Sequence, residues 1–205
     1  MKSLLRREEY RVLSTLVIDG EILDVGGSTK SGYHELMQGT HTITTANIDA
    51  AYGADLIFDA EKAWPIADES YDAVLFINVL EHLYDHRMAL REAYRVLRPG
   101  GTLHIAVPFM FNVHGSPNDY FRYTKSALTR LLNDSGFAHA EIRALGTGGF
   151  SVMYHTALGL LRWRWLSFPI LNLAVALDKA FQRIRPENSM DAEHMPLGYY
   201  AAARR

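Results

Sequence analysis

The sequence predicts a doubly wound α/β fold, with a seven-stranded, mostly parallel sheet between two layers of helices. Three observations carry this expectation. Short apolar or β-branched runs recur along the chain, amphipathic helical stretches fall between them, and paired glycines follow the first apolar run at a strand-to-turn junction. The length of 205 residues fits one domain, read as 1–205, with a helical apolar and basic insertion at about 150–190 before the last strand. A composition of 48% hydrophobic and 21% charged residues excludes disorder and coiled coil.

Each element has a local reason. Leu4, Leu5, Val12, Leu13, Leu16 and Val17 recur at helical spacing, so residues 3–18 read as an amphipathic helix. Glu21–Val25 is a buried strand stopped by Gly26-Gly27. Thr42–Ile48, Asp55–Asp59, Tyr71–Ile77 and Thr102–Val107 read as the second to fifth strands. Asp85 caps a helix over 86–97, which Pro99-Gly100-Gly101 ends. Thr124 caps a helix over 125–135, which Gly136 stops. Residues 137–145 form the sixth strand and Gly198–Ala203 the seventh.

Charge and residue usage narrow the function classes. The formal net charge of -2 argues against nucleic acid as a partner. The average conceals a segregation: residues 1–155 carry -5, whereas 156–186 carry +4. The chain has no cysteine, which excludes disulfides, thiolate metal sites and a cysteine nucleophile, and suits a reducing, cytoplasmic setting. Met1–Arg11 holds Lys2, Arg6, Glu8, Glu9 and Arg11 with no apolar run behind them, so no secretory signal is read there.

In open α/β sheets ligands bind beyond the carboxyl ends of the strands. The first strand ends at Asp24-Val-Gly26-Gly27-Ser28. Glycine there lets a ligand approach the backbone, and an acidic Asp24 suits a cationic ligand better than a pyrophosphate. The second ends at Asn47-Ile48-Asp49, about 21 residues past Gly26, the spacing at which a polar side chain meets a ribose. The third ends at Asp59-Ala60 and the fourth runs into Asn78-Val-Leu-Glu-His82. Taken singly, each of these is equally a cap or turn residue. His82 and His86 stand four apart, but Asp85 caps the helix between them and leaves His82 in the preceding loop. No metal is assigned.

In series these motifs resemble the class I S-adenosylmethionine-dependent methyltransferases, in their type-11 branch. The resemblance spans about residues 20–145 and is most specific in Tyr71–Leu83 and in Arg95-Val-Leu-Arg-Pro-Gly-Gly101. It implies a Rossmann-like fold, S-adenosyl-L-methionine as cofactor, and methyl transfer to an O or N of a small-molecule, glycan or lipid-linked acceptor. It further implies that Asp24, Gly26 and Gly27 hold the methionine part, Asn47, Ile48 and Asp49 the ribose, and Asp59 and Ala60 the adenine. Asn78 then offers its backbone near the sulfonium end, and His82 is read beside it as a residue lining the cofactor site. Two departures stand out: Ser28 and Lys30 replace the second and third glycines of the family's Asp-x-Gly-x-Gly-x-Gly turn, and neutral Asn47 replaces an acidic ribose ligand. The rival reading is a non-catalytic cofactor-binding or scaffold protein with an eroded glycine turn. A nicotinamide oxidoreductase is disfavoured by Asp24 and by the missing Gly-x-Gly-x-x-Gly.

The acceptor side falls to Pro108–Thr124, a connector dense in aromatic and charged residues. A subset of the type-11 branch carries a similar His-x-x-Pro-x-Asp-Tyr-x-Arg run, matched here by His114, Asp119, Tyr120 and Arg122. These are the candidate catalytic residues: His114 as a base, Asp119 to orient it, Arg122 to clamp an anion, with Tyr120 beside them. The bland alternative is that Asp119 and Arg122 pair to brace the loop. In the insertion, Trp165–Leu177 is uncharged but shorter than the roughly 20 residues of a membrane span. Trp163, Trp165, Arg162 and Arg164 precede this stretch, and Lys179, Arg183 and Arg185 follow. Three roles remain open for the insertion at 150–190: helices that cap the substrate cleft or pack a core, a homodimer interface, and peripheral contact of residues 157–185 with an anionic membrane at its inner face. Residues 187–196 read as a polar loop.

Overall fold

The computed structural model describes residues 3–115, 117–157, 167–184 and 190–205. Its elements are α1 (Leu4–Leu13), β1 (Gly20–Val25), β2 (His41–Asn47), β3 (Leu56–Ile57), β4 (Tyr71–Ile77), α2 (His86–Val96), β5 (Leu97–Pro108), α3 (Lys125–Asp134), β6 (Ala138–Leu145), α4 (Gly149–Ala157), α5 (Ser167–Ile184) and β7 (Gly198–Arg204). The seven strands lie in the order β3-β2-β1-β4-β5-β7-β6. β7 runs antiparallel to both β5 and β6, and the other pairs are parallel. Strand order reverses between β1 and β4, the switch point at which such sheets form a crevice.

Alternation along the central strands builds the layers. Leu23, Val25, Val74, Phe76, Leu103 and Ile105 point to one face, where α2 and α3 cover them with Leu90, Ala93, Val96, Leu128 and Leu132. Ile22, Ala73, Leu75 and Ile77 point to the other, under Leu13 of α1 and Tyr33 and Met37 of the following connector. A third apolar cluster joins Leu4 and Leu5 of α1 to α4, α5 and Tyr200 of β7. The helix caps form as the sequence predicts: Asp85 accepts from the Met88 amide (3.1 Å) and Thr124 from the Ala127 amide (3.2 Å).

Several boundaries differ from the expectation. The first helix stops at Leu13 rather than near residue 18, because the Ser14 and Thr15 hydroxyls bond back to the Arg11 and Val12 carbonyls and Val17 pairs with Gln38. β3 shrinks to two residues, because Asp55 docks through its side chain, accepting from the Thr45 amide (2.8 Å) and hydroxyl (2.7 Å). Pro99-Gly100-Gly101 lies within β5 as an irregularity in its pairing with β4, rather than after a helix end. Between β1 and β2 and between β2 and β3 the described elements are short 3-10 turns, His34–Leu36 and Ala50–Tyr52, since these glycine-containing connectors offer no continuous apolar stripe.

Among the described residues, the helical insertion expected at about 150–190 holds two helices, α4 and α5. Asp178 of α5 is buried and accepts from the Phe150 amide (2.8 Å), the Ser151 amide (3.1 Å) and the Thr147 hydroxyl (2.8 Å), so it caps the start of α4. α5 buries Leu171 and Ala174 and exposes Phe168, Leu173, Leu177 and Ile184, with Lys179 and Arg183 also at the surface. The arginine and tryptophan residues expected to flank it at 162–165, and Arg185, lie outside the described residues, as does part of the loop expected at 187–196. Among the described residues no helix is long and apolar enough to cross a membrane.

Candidate active site

A cleft of about 750 Å³ opens at the carboxyl ends of β1, β2, β3 and β4. Gly26 forms its floor with φ +81°, and a Cβ there would stand 2.3 Å from Val79. Only glycine satisfies both the left-handed backbone and the contact. Gly27 has a different duty. A Cβ on it would stand 1.9 Å from the Asp24 carboxylate, which is fully buried behind the turn. Asp24 Oδ2 accepts from the Tyr33 hydroxyl (2.7 Å) and meets His34 Nε2 at 2.6 Å. Burial pushes the Asp24 carboxyl upward, and its bonds to His34 and Tyr33 pull against that shift.

The expectation that Asp24 faces a cationic ligand is therefore corrected. It and Gly27 do not line the cleft; they shape the turn from behind. Ser28 and Lys30, the two departures from the glycine pattern, are absent from the residues with positive φ. Ser28 closes its own turn, accepting from the Lys30 amide (3.2 Å) while its amide donates to Ser31 Oγ (3.0 Å). Neither position requires glycine here, so the irregular motif gives no ground for an eroded site.

At the end of β2, Asn47 lines the cleft, but its amide is already engaged. It donates to the Gly26 and Gly27 carbonyls, both at 3.1 Å, and its oxygen accepts from the Ile48 amide (2.9 Å). Asp49 also lines the cleft and caps the next 3-10 turn through the Ala51 amide (2.8 Å). Asp59 and Ala60 form the far wall beside Phe58, with Asp59 bonded to the Glu61 amide (2.9 Å). Asn78 follows β4 with φ +56°, a conformation asparagine tolerates better than most residues, and its side-chain nitrogen is buried without a hydrogen-bond partner.

Beyond Asn78 and His82 lies a second, smaller chamber of about 200 Å³. These two residues line both cavities. Its other walls come from Ser3 and from Leu5, Arg6 and Glu9 of α1, from Pro108 at the end of β5, and from Phe111 and His114 after it. The connector Phe109–Thr124 is tied to the 3-10 turn Leu80–His82. The Tyr120 amide donates to the Glu81 carbonyl (2.8 Å), the Tyr123 hydroxyl to the Leu80 carbonyl (3.0 Å), and His82 Nδ1 to the Asn118 carbonyl (2.5 Å). Tyr120 lines the larger cleft rather than the chamber, packed on Tyr84 with ring centres 5.4 Å apart.

Asp119 and Arg122 do pair. Arg122 donates to both Asp119 oxygens (2.5 and 2.7 Å) and to the Phe121 and Asn112 carbonyls. This consumes the guanidinium fork and corrects the expectation that Arg122 clamps an anionic acceptor. Asp119 keeps the orienting role in altered form: its Oδ2 accepts from the His114 amide (2.8 Å) and lies 3.4 Å from His114 Nδ1. The Arg122 guanidinium holds the Asp119 carboxyl well below the usual carboxylate range.

Two buried carboxyl groups adjoin these residues. Glu81 is fully buried, and burial pushes its carboxyl up to about 8. Glu9 is buried too and its carboxyl is likewise raised, with Arg6 lying 3.4 Å away. Glu9 had a legible signal: it stands four residues from both Leu5 and Leu13, a charge on the apolar stripe of α1. Tyr33 and His34 carried none, because only the folded chain brings them to Asp24.

Residues 23–105 match the family described as methyltransferase domain. That stretch, residues 23–105, carries the methyltransferase-domain signature of the type-11 branch. Among curated relatives, a probable S-adenosylmethionine-dependent methyltransferase from Mycolicibacterium smegmatis is 32% identical over 101 residues, covering 46% of this chain and 39% of that protein. A ubiquinone/menaquinone biosynthesis C-methyltransferase from Desulfotalea psychrophila is 32% identical over 104 residues, covering 49% and 40%. The match with the chain thus spans about two fifths of the length of these relatives. The fold of the methyltransferase domain is matched more widely: a Thermotoga maritima S-adenosylmethionine-dependent methyltransferase superposes with a TM-score of 0.62 over 98% of this chain and 89% of that one, at 17% identity.

The cleft suits S-adenosylmethionine on its own terms. Its volume falls within the range of small-molecule sites, its Gly26 floor admits a close backbone approach, Asp49 and Asp59 in its lining can accept from hydroxyl and amino donors, and Phe58, Val79 and Leu83 offer apolar walls to a base.

Proposed function

We propose that the protein transfers a methyl group from S-adenosylmethionine to an oxygen or nitrogen of a small-molecule, glycan or lipid-linked acceptor. The observation that supports this reading is that cleft and chamber meet at Asn78 and His82. A cofactor in the cleft and an acceptor in the chamber would then face each other across those two side chains. When bound, the cofactor supplies an electrophilic methyl on a sulfonium, a leaving group that needs no protonation.

The chain's task is accordingly alignment, which can supply roughly 7–11 kcal/mol of a bimolecular barrier. Gly26 and the β1 turn would receive the methionine end, Asn47 the ribose edge together with Ile48 and Asp49, and Asp59 with Ala60 the adenine. Asn78 would hold the boundary at the sulfonium end. His82 and His114 line the chamber, where a hydroxyl acceptor would have to lose its proton. Glu9 and Glu81 are buried near that point, as is the side-chain nitrogen of Asn78.

Calorimetry with S-adenosylmethionine and its demethylated product tests the reading. We expect one binding site per chain, weakened about tenfold by Asp59→Ala and changed little by His114→Ala, which instead lowers turnover. Absence of binding by the wild-type chain, or equal loss of affinity in both variants, contradicts this division of roles.

A further inference from the structure

We propose that Glu81, His82 and His114 hold a divalent transition-metal ion between the cofactor cleft and the chamber. Among the described residues, these three present ligand atoms within 4.8 Å of one another. Both imidazoles aim the same atom at the same target: His82 Nε2 stands 3.7 Å and His114 Nε2 3.8 Å from Glu81 Oε1. These separations are too long for hydrogen bonds. They are close to the spacing of ligands sharing an ion, since two atoms each about 2.1 Å from a tetrahedral centre lie about 3.4 Å apart.

The outer contacts decide which imidazole atoms are free. His82 Nδ1 meets the Asn118 carbonyl at 2.5 Å, and His114 Nδ1 meets the Asn112 carbonyl at 3.1 Å. A carbonyl oxygen only accepts, so each Nδ1 carries the hydrogen and each neutral ring offers an Nε2 lone pair. A ring nitrogen anchored by a backbone carbonyl or carboxylate is the usual support of a metal-bound histidine, and Asp119 adds a carboxylate 3.4 Å from His114 Nδ1. Two lone pairs thus converge on Glu81, a fully buried carboxylate that accepts no hydrogen bond from any other residue. An acceptor-only cluster out of water needs a proton or a metal cation between its atoms, and the 3.7 and 3.8 Å separations are too long for a shared proton but fit a shared ion.

The donor set selects the kind of ion. Two imidazoles and one carboxylate suit zinc and its first-row neighbours, whereas magnesium and calcium prefer oxygen ligands throughout. Three protein ligands leave coordination positions open. They face the chamber, which His82 and His114 line. The acceptor class that fits is one offering a hydroxyl or enol oxygen to the ion, which would lower the pKa of that oxygen. This acceptor role rests on the methyltransferase reading; the ion site does not.

The test uses the untagged chain, stripped with chelator and titrated with Co²⁺ and with Zn²⁺ in the absence of cofactor. We expect one ion per chain, a visible cobalt absorption that Zn²⁺ displaces, and at least tenfold weaker binding in Glu81→Gln, His82→Asn and His114→Asn. His86→Asn, which alters a histidine outside the trio, should bind as the wild type does. Thermal melts without metal establish that each variant is folded. No binding, binding unchanged in all three variants, or equal loss in His86→Asn overturns the site. Cofactor calorimetry on the same metal-free chain reports separately on the methyltransferase reading, so either can fail alone.

Discussion

At the end of β2, one amide does work that a carboxylate cannot. Asn47 gives its two N–H groups to the Gly26 and Gly27 carbonyls, and so ties the first glycine turn to the second strand. Aspartate has no donor to offer and would set a charge against two carbonyl oxygens. We therefore expect Asn47→Asp to weaken S-adenosylmethionine binding about tenfold, or about 1.4 kcal/mol, through loss of the turn. Calorimetry checks it, and tighter binding by the variant would show that the ribose contact outweighs the turn. The same position shows how far a sequence can be read. That Asn47 belongs to the site follows from its distance after Gly26; that its amide faces backward does not, because the carbonyls it meets are fixed only by the parallel register of Val25 with Ala46. Asp24 repeats the lesson. Its place at a strand end was legible, but its partners Tyr33 and His34 come from a connector whose path no periodicity predicts.

Among the elements, those with a local cause were legible and those with a tertiary cause were not. α2 and α3 begin where Asp85 and Thr124 can cap them, and β4 is a continuous apolar run between polar ends. β3 is short because Asp55 spends its carboxylate on Thr45, a contact made only once β2 lies beside it. The connector after β5 is the most consequential case. Its residues were singled out by composition, yet their division of labour depends on the brace between Asp119 and Arg122. That brace holds the His114 amide through Asp119 Oδ2, so it positions one wall of the chamber. Lysine keeps the charge of Arg122 but cannot donate to both carboxylate oxygens and two carbonyls at once. Arg122→Lys should therefore cost about 2 kcal/mol of stability and lower turnover about tenfold, with a smaller effect on cofactor affinity. Thermal melts and initial rates check the two parts; unchanged turnover in a folded variant would remove Arg122 from the positioning machinery.

The whole molecule places its titrating groups on both sides of the central sheet, and one of them reports on the sheet alone. His104 sits in β5, paired across to Leu75 of β4 and Ala202 of β7, far in sequence from the cleft residues. It is buried, its Nδ1 lies 2.6 Å from the Tyr200 hydroxyl, and burial lowers its pKa to about 4. The folded chain thus keeps this imidazole neutral at pH values where the unfolded chain, with an ordinary pKa near 6.5, takes up a proton. Protonation then favours the unfolded state, so this group's contribution to stability is full above about pH 6.5 and is lost as pH falls toward 4. The expected loss is about 3 kcal/mol by pH 4, or about 6–12 °C in Tm for a domain of this size. His104→Gln removes the titration while leaving an amide within reach of Tyr200. Its melting temperature should fall less steeply than that of the wild type between pH 6.5 and pH 4, whatever its value at neutral pH. Depressed carboxyl groups such as Asp119 and Asp55 add their own loss at still lower pH in both chains, so the difference between the two curves isolates the histidine. Parallel curves would mean that His104 is protonated in the folded sheet and that Tyr200 accepts its hydrogen.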